Sequence, residues 1–242
     1  MTRFFVDRVE GERVRLDKED SHHLLRVMRA RVGEFFTVLA EGVEYHCRLI
    51  GDDGGHAHGE VVERRPAAGE PPVHITLFQG LPKGDKLENV IQQGTQLGVS
   101  EFVPVATRRS VVKLEPRKAA DRVERWQRIA KEAAEQSRRG AVPRVRAVEH
   151  WHTAVPRSSS FDLALVPWEE GGEPLRQVLA TAGSPRRIAL FIGPEGGLEP
   201  EEVALAREHG ARPVTLGPRI LRTETAGIAA VAAILFALGD LG

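Results

Sequence analysis

The chain of 242 residues contains one cysteine, Cys47, so it forms no internal disulfide and offers no multi-cysteine metal site. Long apolar runs are missing as well. The longest, residues 226–238, falls short of the ~20 residues that a bilayer-spanning helix requires. The start, Met1-Thr2-Arg3-Phe4-Phe5-Val6-Asp7, has no apolar run of the signal-peptide kind, which leads to the expectation of a cytoplasmic protein without a membrane span. Internal repeats and low-complexity tracts are absent, and so is net charge, with 34 Lys and Arg against 34 Asp and Glu. The 41% apolar and 28% charged residues are ordinary globular usage, far from that of disordered chains. At roughly 100–200 residues per domain, the length admits one large or two modest domains.

The balanced total hides an uneven distribution. Residues 1–69 carry 11 basic and 13 acidic side chains, whereas residues 108–146 carry 13 and 5, a local excess of +8. Such a field is the footprint expected for a polyanion such as nucleic acid; the alternative is a solvated helix face compensated by neighbours in space.

Short apolar runs at residues 4–6, 14–16, 34–40, 44–50 and 58–63, punctuated by Gly11, Gly33, Gly42 and Gly51, predict a small antiparallel β-barrel. A helix over 22–29, capped by Asp20-Ser21, interrupts it. The stretch Arg65-Pro66-Ala67-Ala68-Gly69-Glu70-Pro71-Pro72 breaks every period and reads as a linker between domains at 1–68 and 73–242. Beyond it, continuous apolar runs alternate with helical patterns, as in parallel sheets buried on both faces. Strands are expected at 75–79, 102–107, 163–168, 188–192 and 214–216, and helices at 86–97, 117–139, 174–180, 200–208 and 225–238. The expected fold class is therefore α/β with a mostly parallel, open sheet.

Ligands of open parallel sheets bind beyond the carboxyl ends of strands, which directs the search to the late loops. One reads Gly193-Pro194-Glu195-Gly196-Gly197-Leu198, with glycines that let a ligand approach the backbone. The other reads Gly217-Pro218-Arg219-Ile220-Leu221-Arg222-Thr223-Glu224-Thr225-Ala226 and places Arg222 and Glu224 at the mouth of an apolar helix. Neither the Gly-x-x-x-x-Gly-Lys-Ser/Thr cradle nor an early Gly-x-Gly-x-x-Gly occurs. An adenosine ligand without phosphates remains, of which S-adenosylmethionine is the commonest. His46, Cys47, His56 and His58 match no zinc finger, and strand alternation sends His46 and Cys47 to opposite faces, so no metal is expected.

The two late motifs together resemble the SPOUT superfamily of knotted methyltransferases. Arg3-Phe4-Phe5, His22-His23-Leu24-Leu25-Arg26-Val27-Met28-Arg29, Lys83-Gly84-Asp85-Lys86, Leu97-Gly98-Val99 and Glu132-Ala133-Ala134-Glu135-Gln136-Ser137-Arg138-Arg139 extend the likeness over nearly the whole chain. The narrower resemblance is to the small-subunit ribosomal RNA methyltransferase E family, which modifies N3 of a uridine in 16S rRNA. One departure is Gln93-Gly94-Thr95-Gln96, where that family usually has Lys-Ala-Thr-Glu. The resemblance implies a deep trefoil knot in the second domain, a PUA- or OB-like RNA-binding barrel in the first, a homodimer, and 16S rRNA of the small ribosomal subunit as partner.

The resemblance also assigns residues. Cofactor contacts are expected at Leu165, Ile192, Gly193, Pro194, Gly197, Leu216, Gly217, Ile220, Leu221 and Thr223. RNA contacts are expected at Arg3, His22, Arg26, Arg29, Lys83, Lys86, Arg138 and Arg139. Methyl transfer to N3 needs the uridinate stabilised, a role for Arg222, and a proton acceptor, for which Glu224 and Glu195 are the candidates. The alternatives are a non-catalytic RNA-binding or ribosome assembly factor, and a methyltransferase of this scaffold acting on a ribose 2′-hydroxyl or another base.

Overall fold

The computed structural model describes residues 2–110 and 116–242; Lys113 and Glu115 of the basic stretch lie outside them. The residues divide into two compact units, one of 1–70 with 134–142, the other of 71–133 with 143–242. Residues 134–142 thus group with the first unit, although they follow the break at 65–72 by more than sixty positions.

In the first unit, β1 (Arg3–Phe5), β2 (Arg13–Arg15), β3 (Phe35–Ala40), β4 (Val43–Asp53) and β5 (His56–Pro66) form one sheet in the order β1-β3-β4-β5-β2. The pairings are antiparallel except β1 with β3, which is parallel, so the sheet is mixed rather than wholly antiparallel. Alternation sends Phe4, Phe36, Val38, Cys47 and Leu49 into one core. Gly59 is required there: a Cβ would stand 2.6 Å from the Phe36 ring. Burial pushes the Cys47 thiol up to about 11, as suits an inert core residue, while His46 stacks on Phe35 across the sheet.

The helical insertion begins earlier than its sequence pattern indicates. Asp17 caps α1 (Lys18–His22) by accepting from the Asp20 amide at 2.8 Å, and a π-helical turn follows over His23–Val27. Ser21 is no cap. It is buried, and its hydroxyl accepts from the Ala57 amide at 2.8 Å, tying the helix to β5.

The second unit is built on a parallel sheet of β6 (His74–Gly80), β7 (Glu101–Ala106), β8 (Arg144–Val145), β9 (Glu149–His150), β10 (Leu163–Pro167), β11 (Glu173–Pro174), β12 (Arg187–Ile192) and β13 (Arg212–Thr215). Its order is β11-β13-β10-β12-β6-β7-β8, with β9 beside β7. The helices are α2 (Lys86–Leu97), α3 (Pro116–Gln136), α4 (Trp151–Ala154), α5 (Leu175–Thr181), α6 (Pro200–Glu208) and α7 (Thr223–Ala237). The two-residue strands, α4 and the 3-10 turn over Val155–Ser160 have no counterpart in the sequence pattern, being too short to show a period.

The sheet is buried on both faces. On one, Phe78, Val105, Val166 and Phe191 pack under Trp151 of α4 and Val203 of α6, with Phe78 and Phe191 stacked at 4.2 Å. On the other face α7 crosses β6 and β12 and packs on α2. Gly94, the departure noted in α2, sits where a Cβ would meet the Phe102 ring at 2.8 Å, so glycine lets the helix approach β7. Gln93 and Gln96 are exposed. The local cation excess is largely offset in space: Arg108, Arg109, Arg125, Arg139 and Arg146 pair with Glu201, Glu199, Glu88, Glu70 and Glu101.

Candidate active site

The order of strands decides what meets at the carboxyl edge of the sheet. β12 and β13 follow β10 in the chain but flank it in the sheet, so the loops after all three open at one place. They surround a cavity of about 440 Å³. Ile192 ends β12, and Gly193, Pro194, Glu195 and Gly197 come from the loop after it; Thr215 ends β13, and Leu216 through Arg222 come from the loop after that strand. Pro167, Trp168 and Glu169 come from β10 and the residues following it. Lys86, Thr223 and Ala226 complete the wall.

Nine of the ten residues expected around a cofactor therefore border one space. Leu165 does not. It is fully buried within β10, paired with Leu190 and Arg212, two residues short of the strand end from which the wall is built. Trp168 and Glu169 take that position and carry no local motif.

A buried strut holds the two late loops together. The Thr223 hydroxyl donates to the Gly193 carbonyl at 2.6 Å and accepts from Gln79 Nε2 at 2.8 Å. Thr223 is thus the first residue of α7 and not its cap; Arg222 occupies the cap position without a side-chain capping bond. The glycine loop is braced from outside by Arg109, which donates to the Gly196 carbonyl at 2.8 Å and grips both oxygens of Glu199, at 2.8 and 3.1 Å. That bond to Glu199 is the main cause holding the Arg109 guanidinium above its ordinary value and the Glu199 carboxyl below its own. Glu199 and Glu202 form a reciprocal capping box at α6. Gly197 has φ +71°, and a Cβ there would land on Glu169 Oε1.

Charge is concentrated at the cavity mouth. Lys86 Nζ lies 2.9 Å from Glu195 Oε1 and 3.6 Å from Glu224 Oε2, and the Lys83 amide donates to Glu195 Oε1 at 3.0 Å. Burial opposes ionisation of Glu195, but the Lys86 and amide hydrogen bonds outweigh it and hold its carboxyl below the ordinary range. The same bond to Glu195 raises Lys86. Arg222 is exposed and borders the cavity, with no side-chain hydrogen bond or ion pair among the described residues.

The cations expected to meet RNA fall into two groups. His22, Arg26, Arg29, Lys83 and Arg138 are exposed. Arg3 is instead paired with the buried Glu44, Arg139 is 3% exposed and forks onto Glu70 at 2.7 and 2.6 Å, and Lys86 is held by Glu195. Among the described residues no group of three or more His, Cys, Asp or Glu side chains is placed to hold a metal, and no helix is long and apolar enough to cross a membrane.

Comparison with known proteins gives this geometry its context. The family model described as an RNA methyltransferase domain matches residues 69–235, and that of an RNA methyltransferase PUA domain matches 16–62. The ribosomal RNA small subunit methyltransferase E of Bacillus subtilis is 39% identical over 247 residues, covering 98% of this chain and 96% of that protein. A crystal structure of the methyltransferase of the same name from Neisseria gonorrhoeae, bound to S-adenosyl methionine, superposes with a TM-score of 0.89 at 32% identity over the full length of both chains. A Legionella pneumophila methyltransferase in complex with the same cofactor superposes with a TM-score of 0.88 at 30% identity, covering 98% and 97% of the two chains. By the domains matched, the shared sequence and the shared fold, the chain belongs to the ribosomal RNA small subunit methyltransferase E family.

Proposed function

We propose that this protein transfers a methyl group from S-adenosylmethionine to N3 of a uridine in 16S ribosomal RNA. The observation that carries the reading is the convergence of three parallel-strand loops on one cavity, with an arginine at its mouth that has no side-chain partner among the described residues. The relatives named ribosomal RNA small subunit methyltransferase E and the cofactor-bound structures support it.

The wall suits that methyl donor. Ile192, Leu216, Ile220 and Leu221 offer apolar surface to a purine, and Gly193 and Gly197 put no side chain between the ligand and the backbone. No glycine-lysine phosphate cradle is present, and the wall carries the carboxylates Glu169 and Glu195 together with the cations Lys86, Arg219 and Arg222. When bound, S-adenosylmethionine supplies an activated methyl group for in-line displacement, a reaction that needs position rather than a metal. Arg222 stabilises the uridinate with the planar fork of its guanidinium. Because N3 lies on the Watson–Crick edge, the target base has to be unpaired or flipped out.

The first unit and the exposed His22, Arg26, Arg29, Lys83 and Arg138 hold the RNA in this reading, while Arg3, Lys86 and Arg139 order the surfaces around them. The trefoil knot, a homodimer and a cytoplasmic location belong to the same proposal. The return of the β13 loop to the β12 loop through Thr223 supports the knot, and the apolar Ile220 and Phe236, 85% and 71% exposed, support a partner subunit.

Mass spectrometry of 16S rRNA from cells with and without the gene tests the reading. 3-Methyluridine restored only by the purified protein plus S-adenosylmethionine is expected. Identical nucleoside profiles would favour a binding-only assembly factor, and a 2′-O-methylated product another chemistry on this scaffold.

A further inference from the structure

Three charged side chains from three separate elements meet beside the cavity: Lys86 at the start of α2 and Glu195 after β12, which both line it, and Glu224 in the first turn of α7, which is not part of the wall and reaches it through Lys86. The two carboxylates are not equivalent. Glu195 Oε1 takes a proton donor from Lys86 and another from the Lys83 amide. Among the described residues Glu224 Oε2, a buried atom, has no donor within 3.5 Å, and its ion pair to Lys86 is long at 3.6 Å. A buried carboxylate oxygen without a donor is costly, and the cost is removed when a ligand brings one. The uracil ring has a single N–H donor in RNA, and it is on N3. Glu224 stands two residues beyond Arg222, the cation assigned to the uridinate.

We propose, resting on the methyltransferase reading above, that Glu224 is the group that accepts the N3 proton and that Lys86, anchored by Glu195, is the residue that positions it. The N3–H bond breaks, its electron pair stays on nitrogen, and the proton forms an O–H bond on the Glu224 carboxylate. The N3 pair then forms the bond to the methyl carbon, and the carbon–sulfur pair returns to sulfur, turning the sulfonium into a neutral thioether. Glu224 afterwards releases the proton to water. Lys86 holds the Glu224 carboxylate in place through their ion pair, while Glu195, with its lowered carboxyl and two donors, serves as the anchor and is the poorer base. Around Glu224 the charged groups are Lys86 from α2, Glu195 from the β12 loop and Arg222 on its own chain segment; β6 contributes the neutral Gln79, and α5, which also packs on α7, carries the exposed Arg176.

The test compares full-length wild type with Glu224→Gln in single-turnover methylation of 16S rRNA, from neutral to alkaline pH. Substrates are ordinary RNA and RNA made with 5-fluorouridine, whose N3 is more acidic. Glu224→Gln is expected to lose about 10²- to 10⁴-fold in rate near neutral pH. It should retain calorimetric affinity for S-adenosylmethionine and gel-shift affinity for RNA, and recover at alkaline pH and on the 5-fluorouridine substrate. Lys86→Ala should show a smaller defect with the same recovery, and Lys86→Arg should restore most of the rate. A Glu224→Gln rate equal to wild type, or a defect of constant size at every pH and on both RNAs, would overturn the assignment. Should the Gln variant prove unfolded in a thermal melt, Glu224→Asp replaces it: retaining a carboxylate, it must gain from 5-fluorouridine, and an unresponsive defect sinks the proposal. Failure of wild type itself to form 3-methyluridine would instead remove the underlying reading.

Discussion

The Thr223 hydroxyl donates to the Gly193 carbonyl at 2.6 Å while accepting from Gln79 Nε2 at 2.8 Å, joining β6, the glycine loop and α7 through one oxygen. Thr223→Val keeps the shape and removes both bonds, leaving the fully buried Gln79 amide short of its acceptor. Unfolding in urea should show a loss of about 1–3 kcal/mol, and calorimetry a weaker affinity for S-adenosylmethionine. Unchanged values would mean that the loops are held by packing alone.

Two glycines near the cavity should respond differently to alanine. At Gly80 a Cβ would stand 2.6 Å from the Pro194 backbone nitrogen, a contact that only movement of the loop can relieve. At Gly197 the obstacle is the end of the Glu169 side chain, which can swing away, so the lasting cost is the φ of +71°, about 1–2 kcal/mol. Gly80→Ala is expected to disturb cofactor affinity more, and Glu169→Ala to rescue part of the Gly197→Ala defect only. Full rescue would show that sterics, not backbone conformation, select glycine at 197.

Arg222→Ala should lower the methylation rate by about 10²- to 10³-fold, the scale of losing one preorganised donor, with cofactor affinity mostly intact. Arg222→Lys keeps the charge but not the fork, and should recover only part. Turnover equal to wild type in the alanine variant would remove Arg222 from the mechanism.

Arg139 and Arg26 separate structural from RNA-facing cations. Arg139, buried on Glu70, should cost about 1–3 kcal/mol of stability when changed to alanine. Arg26→Ala, at an exposed site, should leave the melting temperature unchanged while reducing RNA affinity and its salt dependence. A stability loss at Arg26 with unaltered RNA binding would reverse the assignment.

Acid should weaken the brace on the glycine loop. The Glu199 carboxyl lies below its unfolded value of 4.5, chiefly through the Arg109 hydrogen bond, so its stabilisation is complete above about that pH and disappears as pH falls through the folded value. The difference in unfolding free energy between wild type and Glu199→Gln should therefore be flat at neutral pH and shrink on acidification below about 4.5. A difference constant over the whole series would show that the charge of Glu199 contributes nothing.

Much of the site was legible in residue order because its two loops are contiguous motifs. A strand end followed by Gly193-Pro194-Glu195-Gly196-Gly197, and another followed by the segment through Thr223, place backbone and side chains together without long-range knowledge. Leu165 lies outside the cavity wall, because the parallel-strand pattern says that β10 is buried but not which residue reaches the rim. For the same reason residue order did not place Trp168 and Glu169 on the wall. The helix near residue 22 was displaced because Asp20-Ser21 has the composition of a cap, yet Ser21 is consumed by a bond to Ala57, 36 residues away.

What residue order alone determined was local: a parallel sheet buried on both faces, because continuous apolar runs have no other stable setting, and a ligand site without a phosphate cradle, because the required glycine and lysine spacings do not occur. Tertiary structure alone decided that β10 lies between β12 and β13, that Arg139 belongs to Glu70 rather than to solvent, and that Lys86 bridges two carboxylates. Such relations join residues up to 138 positions apart, and neither periodicity nor spacing specifies which distant partners neutralise a charge or border a strand.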